Sequence, residues 1–148
     1  MTDEPGSPLR IFSETEIRHF LAREVQRCTR YQDFLSVCLI RATYAGAPVP
    51  EVDRAVTSRI AEMLRSTDIV GAIGPDIAVL LVHTPDTDAG MIADRIRDRI
   101  QGDTVEVPPA GRTHVTLTVG LASFPTDATS DGGLLAHAET QLQAAPRD

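Results

Sequence analysis

The chain has no lysine, no tryptophan, only two cysteines and six phenylalanines and tyrosines together. It also has no apolar run approaching the roughly 20 residues that a membrane-spanning helix needs. All fourteen cations are therefore arginines, set against 21 carboxylates for a formal net charge of −7. That balance excludes the basic stripe that displaces counterions from a nucleic-acid backbone, and it argues equally against a membrane surface. The opening residues MTDEPGSP are acidic and do not read as a signal peptide, so the cytoplasm is the expected compartment. Cys28 and Cys38 fall in a helical and a strand pattern without metal-ligand spacing, and read as reduced core residues.

At 148 residues the chain is one domain by size, able to bury roughly two-thirds of its unfolded surface. Its expected extent is 11–145, with flexible ends at 1–10 and 146–148. Ser13 and Glu16 form a capping-box pattern, after which Ile17, Phe20, Leu21, Val25 and Cys28 recur at helical spacing. Phe34 to Ile40 is nearly continuous apolar sequence and predicts a central strand buried on both faces. After a loop over Ala42 to Pro50, Val52, Val56, Ile60, Met63 and Leu64 predict a second helix ending near Arg65.

Two short apolar runs, Ile69 to Ile73 and Ile77 to Val82, meet at Gly74-Pro75-Asp76, a turn short enough only for an antiparallel hairpin. A third helix is expected from Asp88, with Met91, Ile92, Ile96 and Ile100 inward. Gln101 to Arg112 reads as a loop with room for a minor strand, and Val115 to Leu121 alternates as a further strand. A last helix after Gly132-Gly133 carries Leu134, Leu135, Ala138 and Leu142. The order αβαββαβα predicts a ferredoxin-like α+β fold, with a mostly antiparallel central sheet and helices packed on it.

Arg65-x-x-Asp68, followed by the strand Ile69 to Ile73 and the Gly74-Pro75-Asp76 turn, resembles the signature hairpin of GGDEF domains. These are nucleotidyl-cyclase-type domains of bacterial signalling that make cyclic di-GMP from two GTP molecules. The resemblance runs from about Ile11 to Ala145: Ala93-Asp94-Arg95-Ile96-Arg97 is similar to the run in the helix after the hairpin, and Val115 to Pro125 to the late strand. The turn departs from the pattern. Only Gly74 and Asp76 match, Pro75 replaces a glycine, and one residue is missing before Ile77.

For catalysis the resemblance implies losses. A metal-binding carboxylate belongs where this chain reads Arg41-Ala42-Thr43, and Asp76, the sole candidate for a second, reads otherwise as a turn residue. The guanine-contacting Asn and Asp fall at Ala45-Gly46-Ala47 and Pro50, and the phosphate-binding lysine near Pro146. Holding Mg²⁺ or Mn²⁺ against a triphosphate needs hard oxygen ligands, so the expectation is no cyclase activity, no metal site and no cofactor. The Gly74-Pro75-Asp76 turn is expected to be too tight to admit a triphosphate, since proline removes an N–H donor.

What the resemblance leaves is the family's inhibitory site for cyclic di-GMP, mapped to Arg65, Asp68 and Arg95. A guanidinium fork suits guanine O6 and N7, and a carboxylate suits N1–H and the exocyclic amine. The plain alternative is that Arg65 and Asp68 are solvated chain termini of their elements, and that Arg95 is a surface residue facing Asp98. His19, His83, His114 and His137 lack metal spacing, and Ser13 and Ser123 have no partnered base. Two functions stay open: a non-catalytic domain that binds cyclic di-GMP and relays it to an unidentified protein partner, or a ligand-free protein-binding scaffold derived from the same fold. The sequence leaves the oligomeric state open, a homodimer included.

Overall fold

The computed structural model describes residues 11–44, 50–107 and 111–144. The expected flexible ends, the Ala45-Gly46-Ala47 segment and Pro146 lie outside the described residues. The elements run β1 (Ile11–Phe12), α1 (Glu14–Tyr31), β2 (Leu35–Thr43), α2 (Pro50–Met63), β3 (Ile69–Ile73), β4 (Asp76–Val82), α3 (Asp86–Gln101), β5 (Val105–Val107), β6 (Gly111–Thr113), β7 (Thr116–Phe124) and α4 (Asp131–Ala144). Five strands form one sheet in the order β1-β3-β4-β2-β7, with only the two-residue β1 running parallel to its neighbour β3. This is the expected α+β architecture.

The capping box at the start of α1 is formed in full: Glu16 N–H donates to Ser13 Oγ, and Ser13 N–H donates to Glu16 Oε1 at 2.9 Å. Leu35, Val37 and Leu39 of β2 join Ile17, Leu21 and Leu134 in a core beneath α1 and α4. The alternate residues Cys38, Ile40 and Ala42 join Val56, Ile60 and Ile96 beneath α2 and α3. The period-two alternation of a strand thus feeds two separate cores from one continuous apolar run. Cys38 is fully enclosed, and burial pushes its thiol up to about 12.

Several expectations are corrected. Phe34 lies before the first paired residue of β2 and is exposed. The third helix starts at Asp86, two residues earlier than expected, behind Pro85. Met91 points to solvent, 71% exposed, because the inward stripe of α3 is Ala89, Ala93, Ile96 and Ile100. Ile96 and Ile100 face the core as expected and Ile92 packs against it, so Met91 alone departs, the small residues Ala89 and Ala93 completing the inward stripe. The Gln101 to Arg112 segment holds a two-stranded ribbon, β5 paired with β6, rather than one minor strand.

Gly120 of β7 sets the distance between the sheet and α4. A Cβ there would sit 2.0 Å from the Ala138 carbonyl oxygen and 2.7 Å from the Leu142 nitrogen, and backbone cannot yield as a side chain can. Gly120→Ala is expected to cost about 2 kcal/mol or more, within the range for overpacked interiors. Urea denaturation of wild type and variant measures it; an unchanged midpoint would contradict the packing described.

Candidate functional site

Two regions at opposite ends of the β3–β4 hairpin hold the polar side chains that the sequence singled out. At the closed end, Ile73 pairs with Asp76, so the turn is the two-residue step Gly74-Pro75. Gly74 has φ 57, the positive value that a primed two-residue hairpin turn demands of a central residue. Its N–H donates to Glu14 Oε1 at 2.8 Å, and Pro75 has none. Neither backbone amide of the turn is left for a phosphate. The Gly74 amide, and then Arg18 nearby, hold the Glu14 carboxyl below its ordinary value.

Asp76 is more than a turn residue, which corrects the sequence reading. It is buried, and Arg41 at the far end of β2 grips both its oxygens, Nε to Oδ1 at 2.8 Å and Nη2 to Oδ2 at 3.3 Å. The two side chains come together because Ile40 pairs with Ile77, which sets Arg41 opposite Asp76 across the β2–β4 ladder. The bond to Asp76 holds the Arg41 guanidinium above its usual range. On the other side of the hairpin, Asp53 of α2 and Asp76 line a groove of about 300 Å³ with Thr57 and Ile77. Burial, and then the charge of Asp76, raise the Asp53 carboxyl. Among the described residues no group of three or more His, Cys, Asp or Glu side chains is placed to hold a metal ion.

At the open end lies a cleft of about 270 Å³ between the segment after α2 and one face of α3. Arg65, His83, Thr84, Asp88, Ile92 and Arg95 line it. Arg65 and Arg95 are therefore brought together, and Asp68 is not part of the lining. The Asp68 side chain is only 2% exposed and, among the described residues, is held by Arg65 alone: Oδ2 accepts from the backbone N–H and from Nε, both at 3.0 Å, and Oδ1 from Nη2 at 2.8 Å. This corrects the view of Arg65 and Asp68 as solvated termini. Arg65 stands past the last residue of α2, where the paired carboxylate rather than the helix dipole fixes it and raises its guanidinium above the usual range.

Arg65 Nη2 also lies 2.9 Å from the Val82 carbonyl oxygen and 2.9 Å from Thr84 Oγ1. The Thr84 carbonyl in turn accepts from Ser36 Oγ at 2.8 Å, and Ser36 Oγ lies 2.7 Å from Ser123 Oγ. A buried chain of hydroxyls on β2 and β7 thereby fixes the floor of the cleft. It also gives Ser123 a structural task. Arg65 Nη1 makes no hydrogen bond among the described residues. Arg95 makes neither hydrogen bond nor ion pair there; the expected partner Asp98 is not engaged, and the ion pair on this helix is Arg97 with Asp94 at 3.0 Å. Two guanidiniums thus face one cleft, one anchored and one free.

The sequence sets His83 aside with the other histidines for want of metal spacing, and does not single out Thr84. The signal was present in the hairpin: extending its register by four places from the Ile69–Leu80 pair sets Arg65 opposite Thr84.

A mostly antiparallel sheet of this order, with α1 and α4 on one face and α2 and α3 on the other, is the architecture of cyclase-like domains. The family model described as "Diguanylate cyclase, GGDEF domain" matches residues 51–148, and the chain belongs to that family. Solved structures agree on the fold. The GGDEF domain of PA1120 (YfiN or TpbB) from Pseudomonas aeruginosa superposes with a TM-score of 0.82 at 24% identity, covering 91% of this chain and 89% of that one. The GGDEF domain of DgcB from Caulobacter crescentus, solved in complex with c-di-GMP, gives 0.74 at 11% identity, covering 97% and 89%. The diguanylate cyclase SiaD of P. aeruginosa, solved with its activator SiaC, gives 0.72 at 20% identity, covering 90% of this chain and 54% of that one. No curated protein matches the chain.

The Asp68 carboxylate is the anchor of the cleft. Asp68→Ala removes three hydrogen bonds at once and leaves the Arg65 backbone N–H without its acceptor, while the half-exposed guanidinium can still hydrate. A loss of about 1.5 kcal/mol is expected, the lower end of the range for hydrogen bonds to a charged group, since the Arg65 donors are only partly buried. Thermal and denaturant unfolding check it, and a variant as stable as wild type would refute the anchoring role.

Proposed function

We propose that this chain is a non-catalytic GGDEF domain of cyclic di-GMP signalling, which binds cyclic di-GMP in the Arg65–Arg95 cleft and relays its occupancy to a protein partner. The observation that carries the reading is the contrast between the two ends of the hairpin. At the closed end the groups of the turn that could serve a metal-bound triphosphate are already engaged, the Gly74 amide by Glu14 and Asp76 by Arg41, Pro75 has no amide to give, and Asp53 is left as a single carboxylate beside the paired Asp76. At the open end a free guanidinium, Arg95, faces an anchored one, Arg65, across an open cleft.

A cyclic dinucleotide suits such a cleft chemically. Its two phosphodiesters are permanent anions, and its guanines offer O6 and N7 to guanidinium donors. Asp68 contributes by holding Arg65 in place, and it meets guanine directly only if Arg65 releases it. Charge-assisted hydrogen bonds contribute roughly 1.5–3 kcal/mol each before the cost of ordering, so two arginines with stacking and polar contacts support micromolar affinity. The c-di-GMP bound to the related DgcB domain, and the activator bound to SiaD, make both ligand and partner chemistry familiar on this fold.

The second reading, a scaffold without ligand, is favoured by the exposed Tyr31 and Phe34, large apolar side chains that a partner protein could cover.

With GTP and Mg²⁺ or Mn²⁺, the purified chain is expected to make no cyclic di-GMP by chromatography. A time-dependent product peak, abolished in Asp76→Ala, would overturn the non-catalytic reading. In calorimetric titration cyclic di-GMP is expected to bind in the micromolar range and GTP not to. Arg65→Ala is expected to weaken that binding at least about tenfold, or about 1.4 kcal/mol. Asp68→Asn should weaken it less, by loosening Arg65. Absence of binding at roughly 100 times the expected dissociation constant, or variants equal to wild type, would leave the scaffold reading in its place.

A further inference from the structure

His83 ends the hairpin in the left-handed region, with φ 53, a conformation in which asparagine, aspartate and histidine are the non-glycine residues most often found. Its place is held from one side. Nδ1 contacts Asp33 Oδ2, the same oxygen that accepts from Arg27 Nη1 at 2.6 Å, and the other Asp33 oxygen accepts from the Phe34 N–H at 2.7 Å. The hydrogen bond from Arg27, with those from Phe34 and His83, keeps the Asp33 carboxyl below its ordinary value, so it stays an acceptor. A fixed carboxylate on Nδ1 sets the tautomer and leaves Nε2 as the one uncommitted polar atom of a ring that lines the cleft.

We propose that His83 is a ligand-contacting residue of this cleft, whose Nε2 meets a phosphate of the bound cyclic dinucleotide, so that binding is coupled to protonation of the ring. This deepens the proposed function and rests on it. In the neutral ring Nε2 is an acceptor and repels a phosphate oxygen. In the protonated ring it is a donor and adds a third positive charge to those of Arg65 and Arg95.

The charged groups around the ring come from every side. Asp33 faces it from the α1–β2 connection, with Arg27 and then Glu24 behind; Arg65 faces it from the segment after α2, and Asp88 and Arg95 from α3. The arginines keep their charge throughout. A bound dianion offsets the arginines and tips the balance towards the protonated ring. The sign follows by linkage: affinity is full at pH values below the titration of the ring in the free protein, and falls as pH rises through it. Histidine is the side chain that makes this change between about pH 5 and 8.

The test is calorimetry of the full chain with cyclic di-GMP at about pH 5.5 and about pH 8, on wild type and on His83→Asn, which tolerates the left-handed backbone. Wild type is expected to bind about tenfold more tightly at the lower pH, the worth of one charge-assisted bond, and His83→Asn to bind at both values with the weaker affinity. An NMR titration of the His83 imidazole in wild type, with and without cyclic di-GMP, reads the same coupling without a variant; its titration is expected to move upward on binding. Binding whose pH dependence survives His83→Asn, or an imidazole whose titration ligand does not move, overturns the role of His83 and leaves the Arg65–Arg95 reading intact. No binding by wild type at either pH overturns both.

Discussion

A strand buried on both faces is the constraint on which the rest of this molecule depends. β2 is hydrogen-bonded to β4 on one side and β7 on the other, and its alternate side chains enter the two cores. Burial at about 25 cal/mol per Å² makes such a strand a large source of stability, and it admits polar residues only towards its ends. Those ends carry the chemistry. Near its start Ser36 holds Thr84, and with it the floor of the Arg65 cleft; near its finish Arg41 takes Asp76. Along a strand rising about 3.3 Å per residue, the two sites lie on the order of 20 Å apart.

The same rigid element therefore serves two opposite electrostatic outcomes. At the turn, cation and carboxylate are matched to each other. A buried carboxylate so paired has little left for a metal, and a guanidinium beside it disfavours any further cation. In the cleft, the match is incomplete: Asp68 takes one arginine and nothing among the described residues takes Arg95. An unmatched cation beside an anchored one is an arrangement suited to an anion from outside the chain.

The architecture was legible in the sequence because the period-two and 3.6-residue patterns of Leu35 to Ala42, Val52 to Ile60 and Val115 to Leu121 are strong and bounded by turn residues. Met91 misled because hydrophobic size was read as inwardness, whereas Ala89 and Ala93 complete the contact stripe. The pair Arg65 and Asp68 was visible by its spacing, as was Arg95 by the resemblance of its helix. What the sequence hid was long-range. The grip of Arg41 on Asp76 spans 35 residues and that of Asp33 on His83 spans 50, and each depends on strand register, which spacing along the chain does not reveal. Glu14 reaching the Gly74 amide, 60 residues away, is hidden for the same reason.

The most direct test of the account is a two-step amide NMR titration, first with Mg²⁺·GTP and then with cyclic di-GMP. GTP is expected to leave the signals of Asp53, Gly74 and Asp76 unmoved, and cyclic di-GMP to shift those of Arg65, Thr84, Ile92 and Arg95. Shifts at Gly74 and Asp76 on adding Mg²⁺·GTP, with a silent cleft on adding cyclic di-GMP, would contradict it.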